Sequence, residues 1–450
     1  MTAQWIDGLT WWHVYPLGFS GAEAHSHQAH GVVHRLRHLA NWLDYARDLG
    51  CRGVQLGPIF ASQTHGYDTT DHLHVDHRLG DDQDFDDLVR GAHDRGMRVL
   101  LDGVFNHVAY EHPMFQVART AGPDPQGAGE QAARWFQLRW PPPGEEPEYD
   151  VFEGHGGLVT LNHAEPKVLE YVVEVMDHWL SRGADGWRLD AAYAVAPEFW
   201  REVLARVRAL HPDAWFVGEY IHGEPTEILA ETTLDAVTAY GLWRPLWRSL
   251  NDANYFDLSW QVERLAEYAS EHPPMTFVGN HDVTRIASNL SDPRHLGHAL
   301  AALFLLPGTP SIYYGDEQAF RGVKEDRPGG DEAVRPMFPD TPQGLAPWGW
   351  PIHALHRELI TMRSVHTWLT RSRPTITHLT NTTMALRADP ADGAGARLTA
   401  LLNVADEPVS FPIHLPESRV EVQSESAAGE PDLLVVPAHS WRILGHEPSD

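Results

Sequence analysis

Residues Ala184–Ala192 read ADGWRLDAA, a short apolar run that ends in charged residues and precedes a stretch with helical spacing. Runs of the same form recur along the chain, and between them apolar residues return every three or four positions. This alternation of strand and helix predicts a parallel sheet with crossover helices. The runs are Trp11–Phe19, Gly53–Phe60, Arg98–His107, Ala184–Ala192, Ala214–Tyr220, Leu234–Gly241, Met275–Asp282 and Pro310–Glu317.

Eight such units over about 370 residues predict an α/β fold of the (β/α)8 TIM-barrel type that carries insertions. The runs are almost continuously apolar, as expected for strands that are buried on both faces. A doubly wound open sheet is the alternative, but no GxGxxG fingerprint follows the first run.

Changes in composition and in the pattern of apolar residues divide the chain into three parts. Residues 1–107 and 162–371 form the predicted barrel, and residues 108–161 form an inserted subdomain rich in proline and glycine. Residues 372–450 are predicted to form a C-terminal antiparallel β-sandwich domain, because short strand-like runs alternate there with turns. These runs are Ile376–Leu379, Thr383–Ala388, Arg397–Asn403, Val409–Ile413, Val420–Val422 and Asp432–Val436.

Composition excludes several classes of partner. The formal net charge of −28 disfavours binding to nucleic acid, which would be repelled. The single cysteine, Cys51, excludes an intrachain disulfide. The N-terminal residues show no secretory signal and no window is apolar enough to span a membrane, so we expect a cytoplasmic protein without membrane contact.

Carboxylates and histidines cluster at the ends of the predicted strands, where the loops of a barrel build its mouth. One carboxylate there is commonly a helix cap, but three at the ends of the fourth, fifth and seventh runs indicate a functional cluster. The residues at these ends are Asp102, Asn106, His107, Arg188, Asp190, Glu219, His281 and Asp282.

Asp190 and Glu219 suit glycoside cleavage by double displacement, in which two carboxyl groups about 5–5.5 Å apart flank the bond. Arg188 lies two residues before Asp190 on the same strand, so we expect it to lower the pKa of this nucleophile. Glu219 follows the apolar run WFVG, which predicts a raised pKa, as an acid/base requires.

Four segments resemble the α-amylase superfamily, glycoside hydrolase family 13: DGVFNH (102–107), GWRLDAA (186–192), FVGEY (216–220) and FVGNHD (277–282). HGYDTTDH (65–72) resembles another stretch of that family. The resemblance implies that Asp190 is the nucleophile, Glu219 the acid/base, and Asp282 the group that stabilises the transition state. It also implies substrate contacts, for which our candidates are Tyr67, Asp102, His107, Arg188, His281, Arg285, Trp187, Tyr193 and Tyr220.

Within the superfamily, GLVTLNHAEP (157–166), IYYGDE (312–317) and DEAVRPMF (331–338) look like the cyclomaltodextrinase, neopullulanase and maltogenic amylase group, although the N-terminal domain of that group is not seen. Tyr193 and Ala194 stand where many α-amylases have Lys-His, and Thr64 stands where exo-acting α-glucosidases often have Asp. We therefore expect retaining hydrolysis of α-1,4 and also α-1,6 bonds in short linear or cyclic maltooligosaccharides.

Two other functions stay open at this point. The same carboxylates serve a transglycosylase or isomerase, depending on how well the acceptor subsite excludes water, and Trp187, Tyr193, Tyr220 and Trp243 are candidates for that control. A non-catalytic carbohydrate-binding barrel is disfavoured, because all three carboxylates are present. The reaction requires no cofactor, the resemblance allows a structural calcium ion with Asn106 as a ligand, and a homodimer is left open.

Overall fold

The computed structural model describes residues 4–123, 125–142, 145–327 and 329–447. Eight parallel strands, β1 to β8, pair in chain order, and β8 pairs with β1. A single bridge between Thr238 and Met275 joins the ends of β6 and β7, so the sheet closes into a barrel and the predicted (β/α)8 fold is confirmed. The strands are β1 Trp11–Val14, β2 Gly53–Leu56, β3 Arg98–Gly103, β4 Gly186–Leu189, β5 Trp215–Gly218, β6 Ala236–Val237, β7 Met275–Thr276 and β8 Thr309–Tyr313.

Most of the helices that surround the barrel bury one apolar face, whereas Leu296–Leu305 is buried on nearly all sides. In the helix Pro166–Ser181 the predicted positions Val168, Val172, Val175 and Trp179 are all buried. No helix among the described residues is both long and apolar enough to cross a membrane. The helices are Pro16–Phe19, Leu36–Ala40, Leu43–Leu49, Asp82–His93, Pro113–Thr120, Ala128–Arg134, Pro166–Ser181, Pro197–Leu210, Pro225–Thr232, Tyr240–Asn251, Phe256–Ala266, Ile286–Asn289, Leu296–Leu305 and Trp350–Val365.

The floor of the barrel interior is a compact apolar layer. Trp11 from β1 and Trp215 from β5 stack with ring centroids 5.8 Å apart, and Leu100, Val217 and Met275 complete the layer. Ser311, which pairs with Trp11, and Gln55 are hydrogen-bonded to each other over 2.9 Å beside this layer, and the charged side chains lie toward the carboxyl ends of the strands. In β3 and β4, Asp102 pairs with Arg188 just above it.

The segment between β3 and the helix Pro166–Ser181 has its own secondary structure. His107–Ala109 pairs antiparallel with Leu158–Thr160, and Leu138–Arg139 pairs with Glu148–Tyr149. It also holds the helices Pro113–Thr120 and Ala128–Arg134, which the sequence did not reveal because both are short. We keep 108–161 as the proposed bounds of the inserted subdomain.

An antiparallel sheet of five strands follows the barrel, in the order β9–β10–β11–β13–β12. The sequence missed β13, a central strand, because Ser440, Arg442 and His446 interrupt its apolar pattern, although all three are buried. A second pair, Val409–Ser410 with Val435–Val436, lies outside this sheet. The strands are β9 Arg373–Leu379, β10 Thr383–Asp389, β11 Arg397–Asn403, β12 Arg419–Gln423 and β13 Ser440–His446.

Gly186 opens β4 at a close approach to β5, where a Cβ atom would lie 2.2 Å from the backbone oxygen of Trp215. Backbone cannot yield as a flexible side chain can, so we expect Gly186→Ala to lower the free energy of unfolding by about 3 kcal/mol. Gly429→Ala is the matched control, because a Cβ there meets nothing within 4 Å. Urea unfolding followed by circular dichroism measures both; equal stabilities would contradict the steric argument.

Candidate active site

Three buried carboxylates share one guanidinium at the mouth of the barrel. Arg188, on β4, donates from Nη1 to Asp102 and to Asp190, each over 2.8 Å. Its Nη2 lies 2.6 Å from Oε1 of Glu219. The side chains of β3, β4 and β5 therefore meet on a single cation, as the strand ends predicted.

Backbone contacts fix the two facing carboxylates. The amide of Asp190 donates to Gly103 over 3.0 Å, and the amide of Glu219 donates to Leu189 over 2.9 Å. Ala191 adopts a left-handed conformation with φ of 43°, and its amide donates to Oε2 of Glu219 over 3.0 Å. Such backbone strain in a residue other than glycine is typical of functional sites.

Asp282 faces this group from the loop after β7. Its amide donates to Asn280 over 2.9 Å, and its Oδ2 lies 2.9 Å from Nε2 of His281. Its Oδ1 accepts a hydrogen bond from Arg335 over 3.0 Å. Two cationic or hydrogen-bonding partners thus hold this carboxylate in place.

Burial shifts the carboxyl groups of the cluster in one direction. It raises the pKa of Asp102 to about 8 and the pKa of Asp190 to about 6, although Arg188 acts to lower both. The pKa of Glu219 is also raised by burial. Burial acts to raise the pKa of Asp282 too, but His281 and Arg335 together hold it well below its usual range.

The sequence predicted a lowered pKa for Asp190, and this prediction was wrong because the pKa is raised. Arg188 does contact Asp190, but the same guanidinium also serves Asp102 and Glu219, and removal of Asp190 from water outweighs its share of the attraction. The raised pKa of Glu219 has the predicted direction and the predicted cause.

Tyr67, His107 and His281 lie beside the carboxylates. The hydroxyl of Tyr67 donates to Asp102 over 3.0 Å and also contacts Nε2 of His281. The rings of Tyr67 and His281 stack with centroids 5.3 Å apart. Nε2 of His107 lies 3.0 Å from the backbone oxygen of Tyr67 and so supports the loop that carries this ring.

Two predicted substrate contacts point away from the site. Trp187 is fully buried on the opposite face of β4 from Arg188 and packs against Phe60 and Phe105. Arg285 is also fully buried, where it donates to Asp316 over 2.7 Å. Neither residue is therefore a substrate contact. Side chains alternate along a strand, so Trp187 points away from Arg188 and the site, and an ion pair with Asp316 holds Arg285.

The two tyrosines of the prediction lie at the rim. The hydroxyl of Tyr193 donates to Glu153 of the inserted segment over 2.8 Å, and its ring centroid is 5.2 Å from that of His222. Tyr220 is half-buried and lines a small separate cavity of about 100 Å³ beside the helix Phe256–Ala266. Of these two tyrosines, Tyr193 bridges the loop after β4 to the inserted segment.

Three further residues, Tyr240, Asn280 and Arg335, contact the cluster and were not predicted. The hydroxyl of Tyr240 donates to Glu219 over 3.2 Å and accepts from Asn280 over 2.8 Å. Arg335 lies over the ring of Tyr15, 4.6 Å from its centroid. The segment DEAVRPMF drew attention to the region of Arg335, but nothing local to the sequence pairs it with Asp282.

A cavity of about 1170 Å³ opens from Asp282 and Tyr67 toward solvent. Its walls come from the loops after β1 and β2, the inserted segment and the loop that carries Arg335. Tyr15, Glu153 and Met337 are among the side chains that line it. This cleft is large enough for several sugar rings and reaches the site at Asp282 and at Tyr67, whose hydroxyl contacts Asp102.

The calcium expectation concerned Asn106, which is buried and donates from its side-chain amide to Nδ1 of His107 over 3.1 Å. In the described part of the chain, groups of three acidic or histidine side chains with metal-ligand spacing occur at two places, neither of which includes His107. Calcium at Asn106 therefore stays a prediction. The groups are Asp292, His295 and His439, and His34, Asp81 and Asp84.

Known proteins are similar to this chain in sequence and in architecture. The family described as "Alpha amylase, catalytic domain" matches residues 13–340. A cyclomaltodextrinase of Geobacillus thermopakistaniensis (strain MAS1) is 34% identical over 64% of this chain and 50% of its own. An intracellular maltogenic amylase of Bacillus subtilis (strain 168) is 29% identical over 72% of this chain and 57% of its own. The chain thus spans about half the length of these curated relatives.

Two solved structures match almost end to end. The ligand-free cyclic alpha-maltosyl-(1→6)-maltose hydrolase from Arthrobacter globiformis is 25% identical, with a TM-score of 0.79 over 98% of this chain and 99% of that chain. An acarbose-soaked debranching enzyme from Nostoc punctiforme is 25% identical, with a TM-score of 0.80 over 99% of each chain.

The raised pKa of Asp102 predicts a dependence of stability on pH. The unfolded chain releases this proton near pH 4, whereas the folded chain keeps it up to about pH 8, so the free energy of unfolding of the wild type falls as the pH rises through that window. Asp102→Asn removes this site, so we expect the stability of the variant relative to wild type to grow by about 1 kcal/mol per pH unit.

Urea unfolding at pH 5, 6.5 and 8 measures this difference. The exposed Asp257 provides the control, since Asp257→Asn should give the same small difference from wild type at each pH. A difference between Asp102→Asn and wild type that stays constant with pH would show that Asp102 is ionised throughout.

Proposed function

The chain belongs to the α-amylase family of glycoside hydrolases, and from this premise we propose that it is a retaining hydrolase of short linear or cyclic maltooligosaccharides. It cleaves α-1,4 bonds and also α-1,6 bonds. The observation that carries the proposal is the shared guanidinium: Nη1 and Nη2 of Arg188 hold Asp190 and Glu219 side by side. This arrangement favours the short carboxyl separation of a retaining enzyme.

In the first half of the reaction, a carboxylate oxygen of Asp190 attacks the anomeric carbon while Glu219 gives its proton to the leaving glycosidic oxygen. The bond to the leaving sugar breaks and a glycosyl ester with Asp190 forms. In the second half, Glu219 takes a proton from water, whose oxygen attacks the same carbon and releases Asp190. The two inversions leave the anomeric configuration unchanged.

The protonation pattern supports these roles. At neutral pH a pKa of about 6 leaves Asp190 mostly ionised, and the raised pKa of Glu219 favours its protonated form. The pKa of Asp102, about 8, keeps that carboxyl neutral, so a single net negative charge faces the charge of Arg188. Asp282 stays ionised and is suited to stabilise an oxocarbenium-like transition state.

The shape of the cleft supports a short substrate. Tyr193 and Glu153 bridge the loop after β4 and the inserted segment, and we expect this contact to limit the length of substrate that the cleft accepts. The hydrolase from Arthrobacter globiformis, which this chain matches along nearly its full length, is named for a cyclic maltosyl-maltose. We also propose an intracellular location, in keeping with the name of the Bacillus subtilis relative.

The test is a product profile on linear maltooligosaccharides, cyclodextrins, a mixed-linkage cyclic tetrasaccharide, pullulan, sucrose and soluble starch. We expect fast cleavage of a short or cyclic substrate and little action on starch, with first products in the α configuration by proton NMR. Products in the β configuration would refute retention. Longer or rearranged sugars would instead assign a transglycosylase or isomerase with the same carboxylates.

Removal of the nucleophile should abolish turnover. We expect Asp190→Asn to lower kcat by about four orders of magnitude, because an amide does not form the glycosyl ester, while the circular dichroism spectrum is unchanged. Asp257→Asn, an exposed change of the same chemistry, should keep full activity. Wild-type turnover by Asp190→Asn would contradict the assignment.

The pH profile should be bell-shaped, with its acid limb set by Asp190 and its alkaline limb by Glu219. Activity should fall as the pH drops through about 6, because protonated Asp190 is no nucleophile. It should fall again at higher pH, when Glu219 loses the proton it must donate. In Glu219→Gln, activity on an activated aryl glycoside with a good leaving group should lose the alkaline limb; a limb that persists would exclude Glu219 as the acid.

A further inference from the structure

A second cluster of metal-ligating side chains lies where the barrel meets the C-terminal sheet. Asp292 and His295 precede the helix Leu296–Leu305 of the barrel, and His439 directly precedes β13. Ligand atoms of these three residues all lie within 4.8 Å of one another. None of the three lines the cleft beside Asp282.

The two imidazoles face each other through nitrogen atoms. Nε2 of His295 lies 3.0 Å from Nδ1 of His439, and the rings stack at an angle of 29°. The other nitrogen of His439, Nε2, is 2.8 Å from Oδ1 of Asp406. A carboxylate behind a histidine is the usual arrangement that orients a metal-binding imidazole.

Hydrogen bonding within the protein does not account fully for this cluster. His295 is 5% exposed, and its Nδ1 is buried without a hydrogen-bond partner among the described residues. His439 has a left-handed backbone with φ of 50°, a conformation that a residue other than glycine rarely adopts without a local reason.

Asp292 completes the donor set at the edge of the cluster. Its carboxylate caps the backbone of Arg294 over 2.9 Å and pairs with the exposed guanidinium of the same residue. Each carboxylate oxygen has a second lone pair, so these contacts leave Asp292 able to bind an ion.

We propose that His295, His439 and Asp292 form a zinc site that joins the barrel to the C-terminal sheet. One ring nitrogen of His295, Nδ1 of His439 and one carboxylate oxygen of Asp292 are its ligands, and water takes the fourth position. Two imidazole nitrogens and one carboxylate oxygen suit Zn²⁺, whereas Ca²⁺ and Mg²⁺ prefer oxygen donors alone. Asp406 holds His439 in the tautomer whose Nδ1 faces the ion.

The second group of the chain differs in one respect that makes it a control. His34, Asp81 and Asp84 also have metal-ligand spacing, but this group offers a single imidazole, from the exposed His34, whereas the proposed site offers two. His34→Ala alters this group and leaves the proposed site intact.

The experiment measures binding of ZnCl₂ to the full chain, after treatment with a chelator, by equilibrium dialysis with metal analysis and by calorimetry. We expect one tight equivalent in the wild type and in His34→Ala, and none in His439→Ala or His295→Ala. A wild type without a tight equivalent would overturn the proposal. So would retention of that equivalent in both histidine variants, or its loss in His34→Ala alone.

A milder change guards against loss of the fold in the histidine variants. The side chain of Asp406 is 96% exposed, so Asp406→Asn should keep the zinc-free Tm of the wild type. We expect it to weaken zinc binding about 10- to 100-fold, because a neutral amide oxygen is a weaker acceptor for Nε2 of His439 than the carboxylate that now orients this ring. Zinc should also raise the Tm of the wild type in proportion to log concentration and raise that of His439→Ala much less; unchanged affinity in Asp406→Asn together with equal Tm shifts would contradict the site.

Discussion

The guanidinium of Arg188 is the contact around which the mouth of the barrel is organised. Three carboxylates from three consecutive strands lie against it, and buried like charges are tolerated only when a cation and hydrogen bonds compensate them. One positive charge does not neutralise three negative ones, so protons must occupy some of the carboxyl groups. The different roles that we propose for Asp190 and Glu219 follow from this shortage of positive charge.

The apolar layer below the cluster makes that shortage effective. Trp11 and Trp215 stack in the barrel interior under the strand ends and give the carboxylates an apolar layer beneath them. Burial by the fold as a whole, and not the charge of one neighbouring residue, raises the pKa values of Asp102, Asp190 and Glu219. Asp282 escapes the trend because two partners outside the strands, His281 and Arg335, support its charge.

Much of this arrangement was predictable from sequence, because the barrel repeats one local pattern. Each apolar run marked a strand, and each polar residue after it marked the rim. Side-chain direction was harder: Trp187 and Arg188 are neighbours in sequence yet face opposite sides of β4. Contacts between distant loops were not predictable at all, and Arg335 reached Asp282 from a loop with no periodic pattern. Strand β13 escaped notice because its buried polar residues hide its period.

The closure of the barrel has a consequence for its motions. Between most neighbouring strands several residues pair, but β6 and β7 are joined by the single bridge from Thr238 to Met275. This seam is where the ring has least hydrogen bonding to lose, so amide hydrogen exchange should reveal local opening there before the rest of the barrel. Tyr240, which contacts Glu219, begins the helix directly after β6. Local opening of this seam would therefore disturb the surroundings of Glu219, while Asp190, which follows β4, keeps its contacts.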